Sequence, residues 1–386
     1  MEGNTMALDL SEFRVIDDHC HPFDPTRENQ GFEQYWTLSM FPLDPLDMKN
    51  TLLYRLVLRE LSKYYQLGPR ASEAEIITKR TSLYKENPKA YLDTLFRAAG
   101  IDTLMLDIGY PAEEFTGYSV DIDEFSSLLP ISLARKIVRI EPIMFRLIKQ
   151  ELHFPKFVQA FNESLENDID KHKAVALKTV IAYPTGLDVQ KQDDSQFARH
   201  YYSYLVDKND KVAEKGVRDF LVFQALEACL RHDIPLQLHT GVGDSPLIDL
   251  RLSNPLHLIN IIKDEHFGKA KIVLVHAGYP YTAEAGYLAN NYPNVFIDLS
   301  EMNPFASIGL EPKLLELMEM TPLTKLFYGS DGYNIPELFW FSAIYFKKVL
   351  GRVLEKLIVD DVFYQDEAIT VAKWILGENA KRVYRL

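Results

Sequence analysis

His19 and His21 are the first residues of the chain whose type and spacing could do chemistry. They follow a short apolar stretch, residues 13–16, that predicts a buried strand, and Pro22 ends it. Side chains two apart on a strand point to the same face, so the two imidazoles can converge on one divalent metal ion. For a lone His-x-His motif, a pair of ordinary loop histidines is the alternative interpretation.

Four more ionisable residues interrupt or end apolar segments further along the chain. They are Lys178 in segment 174–183, His239 in 235–241, His276 in 271–278 and Asp331 in 326–332. Each has an ordinary explanation by itself: a hydrogen-bonded histidine, a lysine whose stem packs on apolar surface, or a helix-capping aspartate. Metal-ligand side chains at five strand ends together are hard to explain by packing. We therefore favour a metal site.

The periodicity predicts eight short apolar strands with helices between them. The predicted strands lie within residues 13–22, 101–110, 137–143, 174–183, 235–241, 271–278, 295–300 and 326–332. This alternation is typical of one parallel (β/α)8 barrel, in which functional groups sit at the C-terminal ends of the strands. A doubly wound open sheet is the rival fold, but no Gly-x-Gly-x-x-Gly fingerprint follows the first strand.

We expect a single barrel domain over residues 1–386, interrupted after the first strand by a helical insertion at about 24–97. An insertion of this length is too long for a simple loop and could cover a site. Arg139 and Glu141 lie two apart in the third predicted strand, and we predict that they pair with each other inside the barrel.

Composition narrows the class of partner and compartment. The formal net charge of -13 argues against a nucleic-acid surface. It does not exclude an anionic small-molecule substrate, because one local arginine can reverse the field. The 2 cysteines cannot form a disulfide framework, which favours a reducing, cytoplasmic location. Residues 1–12 lack the apolar stretch of a signal peptide, and no apolar run is long enough for a membrane span. A homo-oligomer is left open.

Several motifs sharpen this interpretation. They are ALKTVIAY (176–183), LQLHTGVGD (236–244), DLRLSNPL (249–256), VHAGYPYTAEAGYLA (275–289) and YGSDGYNIPELFW (328–340). With the order His-x-His, Lys, His, His, Asp, they resemble the amidohydrolase superfamily, metal-dependent hydrolases on a distorted (β/α)8 TIM barrel. Within it they are most similar to the amidohydrolase-2 branch found alone or fused to glutamine-synthetase-like domains. The resemblance runs from about residue 13 to the C-terminus and is strongest after 174.

The resemblance implies roles for the residues at the first, fourth and eighth strands. His19 and His21 would bind the more buried metal together with Asp331. Lys178 would be carboxylated by carbon dioxide, and its carbamate would bridge two metals. An unmodified ammonium has no lone pair and is a poor ligand.

His239 and His276 would hold the second metal in a two-metal member of the family. In one-metal members, the sixth-strand histidine, here His276, is left for substrate binding or proton transfer. The sequence fits both arrangements, and Lys178 favours two metals. Zinc is the expected ion, with manganese, iron or nickel as alternatives.

The activity implied is hydrolysis of an amide, ester or lactone bond in a small carboxylate-bearing molecule. Asp331 would take a proton from the attacking water and pass it to the leaving group. A one-metal, non-oxidative decarboxylase with unmodified Lys178 is the second hypothesis. A catalytically silent barrel used for binding or signalling is the third, and it would require a broken ligand set.

Substrate contacts are predicted in the loops after the fifth and sixth strands. Arg251 could bind a substrate carboxylate with two parallel hydrogen bonds, or it could instead pair with Asp249 or Asp244. Tyr279 and Tyr281 could line the pocket, although tyrosines that follow a strand are commonly packing residues.

Overall fold

The computed structural model describes residues 8–25 and 31–386, apart from the side chains of Glu114 and Phe115. Within these residues, eight parallel strands form one sheet in chain order. The strands are β1 (Val15–Cys20), β2 (Ile101–Asp107), β3 (Leu133–Arg139), β4 (Ala176–Thr179), β5 (Leu236–His239), β6 (Ile272–Val275), β7 (Val295–Asp298) and β8 (Leu326–Phe327).

Backbone hydrogen bonds join the two ends of this sheet into a nearly closed barrel. The N–H of Asp18 donates to the carbonyl of Tyr328 at 3.1 Å, and the N–H of Asp331 donates to the carbonyl of His19 at 2.9 Å. Helices lie between the strands on the outside, so the predicted (β/α)8 TIM barrel is confirmed. The extent of the barrel domain, 1–386, stays a prediction, and residues 1–7 and 26–30 lie outside the described residues.

The α-helices surround the barrel and fill the predicted insertion. They are α1 (Pro45–Lys49), α2 (Leu52–Tyr64), α3 (Glu73–Glu86), α4 (Pro88–Ala99), α5 (Glu113–Thr116), α6 (Ile122–Ser127), α7 (Ile140–Ile148), α8 (Phe154–His172), α9 (Asp194–Val206), α10 (Lys211–His232), α11 (Ile259–Ile262), α12 (Thr282–Asn291), α13 (Met302–Phe305), α14 (Leu310–Met320), α15 (Pro336–Val359), α16 (Gln365–Lys373) and α17 (Asn379–Tyr384). None of the helices in the described part of the chain combines the length and apolarity that a membrane span requires.

The third strand differs from its prediction. It was expected at 137–143, but β3 runs from Leu133 to Arg139 and α7 begins at Ile140. The apolar run 137–143 is shared between a strand end and the first turn of a helix, where Pro142 is well tolerated. The start of β3 is only half-buried and includes Arg135 and Lys136, so the hydrophobic pattern did not mark it.

Helices α1–α4 form the segment between β1 and β2, and buried polar contacts fix it to the rest of the fold. Arg80 on α3 donates from Nε to Glu337 Oε1 at 2.5 Å, and both side chains are almost fully buried. Glu337 begins the long helix α15 that follows β8. At the other end of the segment, Gly100 at φ 66° ends α4 in a left-handed conformation, and β2 begins at once. These contacts hold the insertion beside the C-terminal ends of β1 and β8.

Candidate metal centre

β1 and β8 bring three predicted ligands together. The Nε2 atoms of His19 and His21 lie 3.4 Å and 3.2 Å from the same oxygen, Oδ1 of Asp331. This oxygen is buried and has no hydrogen-bond partner among the described residues. An ionised oxygen without a donor is costly in a buried site, so its position beside two imidazoles suits a cation that all three bind.

Hydrogen bonds define the tautomer of His19. Its Nδ1 lies 2.8 Å from Oε1 of Gln237 on β5. The Gln237 amide nitrogen donates to the carbonyl of Asp18 at 2.9 Å, so Oε1 must be the acceptor facing the imidazole. His19 therefore carries its proton on Nδ1, and Nε2 has a lone pair towards the cavity. Nε2 is the atom that a metal would use, and Gln237 is its orienting partner.

His239 and His276 face each other with two lone pairs. Nε2 of His239 donates to the carbonyl of Val242 at 2.7 Å, which leaves Nδ1 unprotonated. Nδ1 of His276 lies 2.9 Å from Ser300 Oγ and 3.3 Å from the Ser300 carbonyl, so Nδ1 is the donor and Nε2 is unprotonated. The two unprotonated atoms are 3.1 Å apart. A cation between them would turn this repulsion into coordination.

Glu301 adds a carboxylate to this second pair. Its Oε2 lies 3.5 Å from Nε2 of His276 and has no hydrogen-bond partner in the described part of the chain. Glu301, His239 and His276 each offer an atom within 4.8 Å of the others, as do His19, His276 and Asp331. The chemistry of both donor sets fits a divalent ion such as zinc, and the two sets share His276.

Backbone conformation directs several of these side chains. His276, Glu301 and Asp331 have positive φ values of 72°, 57° and 49°. Residues with side chains adopt this region at a cost of about 1–3 kcal/mol, and such residues cluster at functional sites. Each of the three comes just after a barrel strand ends, and the unusual conformation returns its side chain to the mouth of the barrel.

Burial favours the neutral forms of His19, His239, His276 and Lys178. Desolvation, with Lys178 as a charged neighbour, lowers the pKa of His19 and His239 well below the ordinary value. Desolvation and then His239 do the same to the pKa of His276. Desolvation lowers the pKa of Lys178 to about 8, and its Nζ lies 3.2 Å from Nε2 of His19. Neutral imidazoles are the metal-binding form, and the lowered pKa of Lys178 makes a neutral amine accessible.

The family comparison agrees with this geometry. The family model described as amidohydrolase matches residues 155–386. The chain belongs to the amidohydrolase family. This amidohydrolase is also 32% identical over 317 residues to protein fluG of Emericella nidulans, which covers 74% of the chain but 36% of that relative. The chain therefore spans about a third of the curated relative's length.

Solved structures place the amidohydrolase among TIM barrels. A proposed metal-dependent hydrolase from Lactobacillus casei superposes with a TM-score of 0.83 at 24% identity, over 98% of each chain. A uronate isomerase from Thermotoga maritima superposes with a TM-score of 0.68 at 14% identity, over 97% of this chain and 95% of that one. At these identities the similarity concerns the fold, and the activity has to be argued from the site.

All six predicted ligands line one cavity of about 460 Å³. Sequence reasoning missed several residues that line it with them or support it. Asp107 ends β2 and holds Arg139 with Nε–Oδ2 and Nη2–Oδ2 distances of 2.9 Å and 2.5 Å. The predicted Arg139–Glu141 pair was therefore wrong, because β3 ends at Arg139 and Glu141 lies on α7. Asp107 and Glu301 both lie at or just after strand ends, the signal that could have found them.

The predicted substrate contacts are not brought to the cavity. Arg251 pairs with Asp249 through Nη2 and Oδ2 at 2.6 Å, and its side chain is 87% exposed. This is the alternative that the sequence left open for Arg251. Tyr279 packs against the core, and the Tyr281 hydroxyl donates to the carbonyl of Leu250 at 3.0 Å. Neither tyrosine is among the described residues that line the cavity, which instead include Tyr110, Tyr183 and Tyr333.

Proposed function

We propose that this amidohydrolase cleaves an amide, ester or lactone bond in a small carboxylate-bearing molecule. The observation that carries the proposal is the partnerless Oδ1 of Asp331 beside the Nε2 atoms of His19 and His21. A cavity of about 460 Å³ has the size of a small-molecule site. A divalent ion bound by these residues would activate water and polarise the scissile carbonyl.

Asp331 is the residue we assign to proton transfer. Its carboxylate accepts a proton from the attacking water as the new carbon–oxygen bond forms. It then returns that proton to the leaving nitrogen or oxygen as the old bond breaks. The Nε2 atoms of His19 and His21 both face its Oδ1, so an ion bound by the three residues would hold the carboxylate in place.

Lys178 is the residue that decides between one and two metals in this proposal. A neutral amine can add to carbon dioxide, forming an N–C bond and releasing one proton, and the product is a carbamate whose single negative charge is shared by two oxygens. Full burial of the side chain and a pKa of about 8 raise the fraction of neutral amine above that of an ordinary lysine. We infer that the carbamate of Lys178 joins the His19 set to the His239 set.

A one-metal decarboxylase is the alternative. It is favoured by the direct contact of Lys178 Nζ with His19 Nε2 at 3.2 Å, an arrangement that needs no carbamate. Metal content separates the two activities. Two equivalents per chain, with a carbamate signal after growth in ¹³C-labelled bicarbonate, would support the hydrolase. One equivalent with an unmodified lysine and release of carbon dioxide from a carboxylic acid would support the decarboxylase.

Asp331→Asn is the variant that tests the hydrolase. We expect it to lower turnover of ester, amide and lactone substrates by about 10²–10⁴-fold, the usual contribution of a positioned general base. Asp249→Asn is the matched control, because Asp249 is an exposed acid that pairs with Arg251 outside the cavity. The proposal fails if the zinc- or manganese-loaded protein hydrolyses none of these substrates, or if both variants lose activity equally.

A further inference from the structure

One side of the cavity lies away from the metal-binding histidines and has its own charged groups. It is lined by Glu141 and Phe145 of α7, Val180 and Pro184 after β4, and Arg218 of α10. Glu141 and Arg218 also line a smaller side cavity with Thr179 and Leu221, which none of the six predicted ligands lines. This side of the cavity has no role in the proton transfer described above.

Glu141 presents a buried carboxylate that is half satisfied. Its Oε1 accepts from Thr179 Oγ1 at 2.6 Å and from the N–H of Val180 at 2.9 Å. Its Oε2 is buried and has no hydrogen-bond partner among the described residues, and the residue is 4% exposed. The two bonds to Oε1 fix the carboxylate, while Oε2 needs a donor or a cation to offset its desolvation.

Arg218 supplies the opposite charge on the same side. Its Nε and Nη2 donate to Glu214 Oε1 at 2.9 Å and 2.8 Å, and its guanidinium lies 5.3 Å from the centre of the Phe145 ring. These bonds use two of the five N–H donors of the guanidinium. Glu214 is not among the described cavity-lining residues, so it holds Arg218 from behind. A planar guanidinium held in this way suits a carboxylate.

We propose, on the basis of the hydrolase function above, that this side binds the zwitterionic headgroup of an amino-acid substrate. The substrate ammonium would donate to Oε2 of Glu141, and the adjacent carboxylate would accept from Arg218. The scissile bond would then face Asp331 across the same cavity. The substrate class is thus an amino acid with a free ammonium and a free α-carboxylate, whose side chain carries the scissile amide or ester bond.

A single water molecule is the competing occupant of this position. The side cavity measures about 10 Å³, which is close to the smallest volume that holds one water. A water there could donate to Glu141 and leave the main cavity indifferent to amino groups. The two explanations therefore differ in whether Glu141 affects ligand selectivity.

Matched pairs of ligands that differ only by an α-amino group test the proposal. The pairs are L-aspartate and succinate, L-glutamate and glutarate, and L-2-aminoadipate and adipate, measured by calorimetry on the metal-loaded protein. We expect the amino acid of at least one pair to bind about tenfold more tightly than its partner, the usual effect of a charge-assisted hydrogen bond. In Glu141→Gln, which keeps an acceptor for Thr179 and Val180, this ratio should fall to within about twofold.

A second variant tests the proposed contact between Arg218 and the substrate carboxylate. Arg218→Gln should lower the affinity for L-glutamate by about tenfold. The affinity for 4-aminobutanoate, which lacks the α-carboxylate, should stay within about twofold of the wild-type value. The proposal is overturned if no pair differs by more than about threefold in the wild-type protein. It is also overturned if Glu141→Gln keeps the wild-type ratio, the result expected for water alone.

Metal content and hydrolysis are measured on the same samples. A protein that selects amino acids but hydrolyses none of their derivatives would contradict the proposed function and leave the headgroup site standing. A protein that hydrolyses simple esters without selecting amino acids would contradict the headgroup site and leave the proposed function standing.

Discussion

Ser300 offers a sharp test of the reasoning about His276. Ser300 Oγ lies 2.9 Å from His276 Nδ1 and donates to the carboxylate of Asp298, so it must accept the Nδ1 proton. Ser300→Ala removes this acceptor with little change of volume. The Ser300 carbonyl, at 3.3 Å from Nδ1, remains as a weaker acceptor.

The expected loss of zinc affinity follows from these two distances. A partner of a metal-binding histidine contributes about 10–100-fold to metal affinity, or about 1.4–2.7 kcal/mol. Because the carbonyl of residue 300 is retained, we expect the lower end for Ser300→Ala, about a tenfold weaker zinc affinity. The metal-free protein should lose about 2 kcal/mol, because Ser300→Ala removes both the hydrogen bond from His276 and the one to Asp298.

The measurement is a zinc titration in competition with a chromophoric chelator, with urea unfolding of the metal-free protein beside it. Ser342→Ala is the matched control, because Ser342 is also fully buried but its hydroxyl has no hydrogen-bond partner in the described residues. It should bind zinc within about twofold of the wild type. If Ser300→Ala also binds zinc within about twofold, Ser300 does not orient His276 and the assigned tautomer is wrong.

Three other substitutions test the fold and the pocket. Glu337→Leu should destabilise the protein by about 3–5 kcal/mol in urea unfolding, because it breaks the buried ion pair with Arg80. Arg80→Leu/Glu337→Leu should recover part of that loss, since Tyr91 also loses its acceptor on Glu337. Burial lowers the pKa of Lys347 to about 8, so the unfolded chain binds a proton between pH 8 and about 10 that the folded protein lacks. The free energy of unfolding should therefore rise with pH from 8 to about 9.5, and this rise should flatten in Lys347→Met. Gly243→Ala places a Cβ too close to the Tyr183 hydroxyl and to Nε2 of His239, so the loop or these side chains must shift. We expect weaker zinc binding in the same titration. An unchanged affinity would show that the loop accommodates the methyl group without moving His239.

The comparison of sequence with structure is clearest at the strands. The first strand and its two histidines were placed correctly, since an apolar run followed by His-x-His and proline has few other interpretations. β3 was misplaced because its first four residues are half-buried and include Arg135 and Lys136, and the apolar run continues into α7. A hydrophobic pattern records burial, and it cannot tell a strand end from the helix that follows directly.

The site residues likewise divide into those that the sequence could identify and those that it could not. His19, Lys178 and Asp331 could be named from residue type and position, because parallel strands deliver their C-terminal ends to one mouth. Arg251 could not be excluded, because a loop arginine beside acids has the same sequence signature whether it reaches the substrate or pairs with Asp249. Glu301 was missed because a positive φ, which sequence does not show for glutamate, turns it into the cavity.

By itself, the sequence determined the barrel, and it predicted the kinds of candidate metal ligand and their order along the chain, since these depend on periodicity and residue type. Only the tertiary structure decided which nitrogen of each imidazole carries its proton, because Gln237, Val242 and Ser300 come from distant parts of the chain or from turns. It also decided which acid pairs with Arg139 and which carboxylate is left without a donor. Hydrogen bonding and desolvation depend on distances of a few tenths of an ångström, and only the packed fold sets those distances.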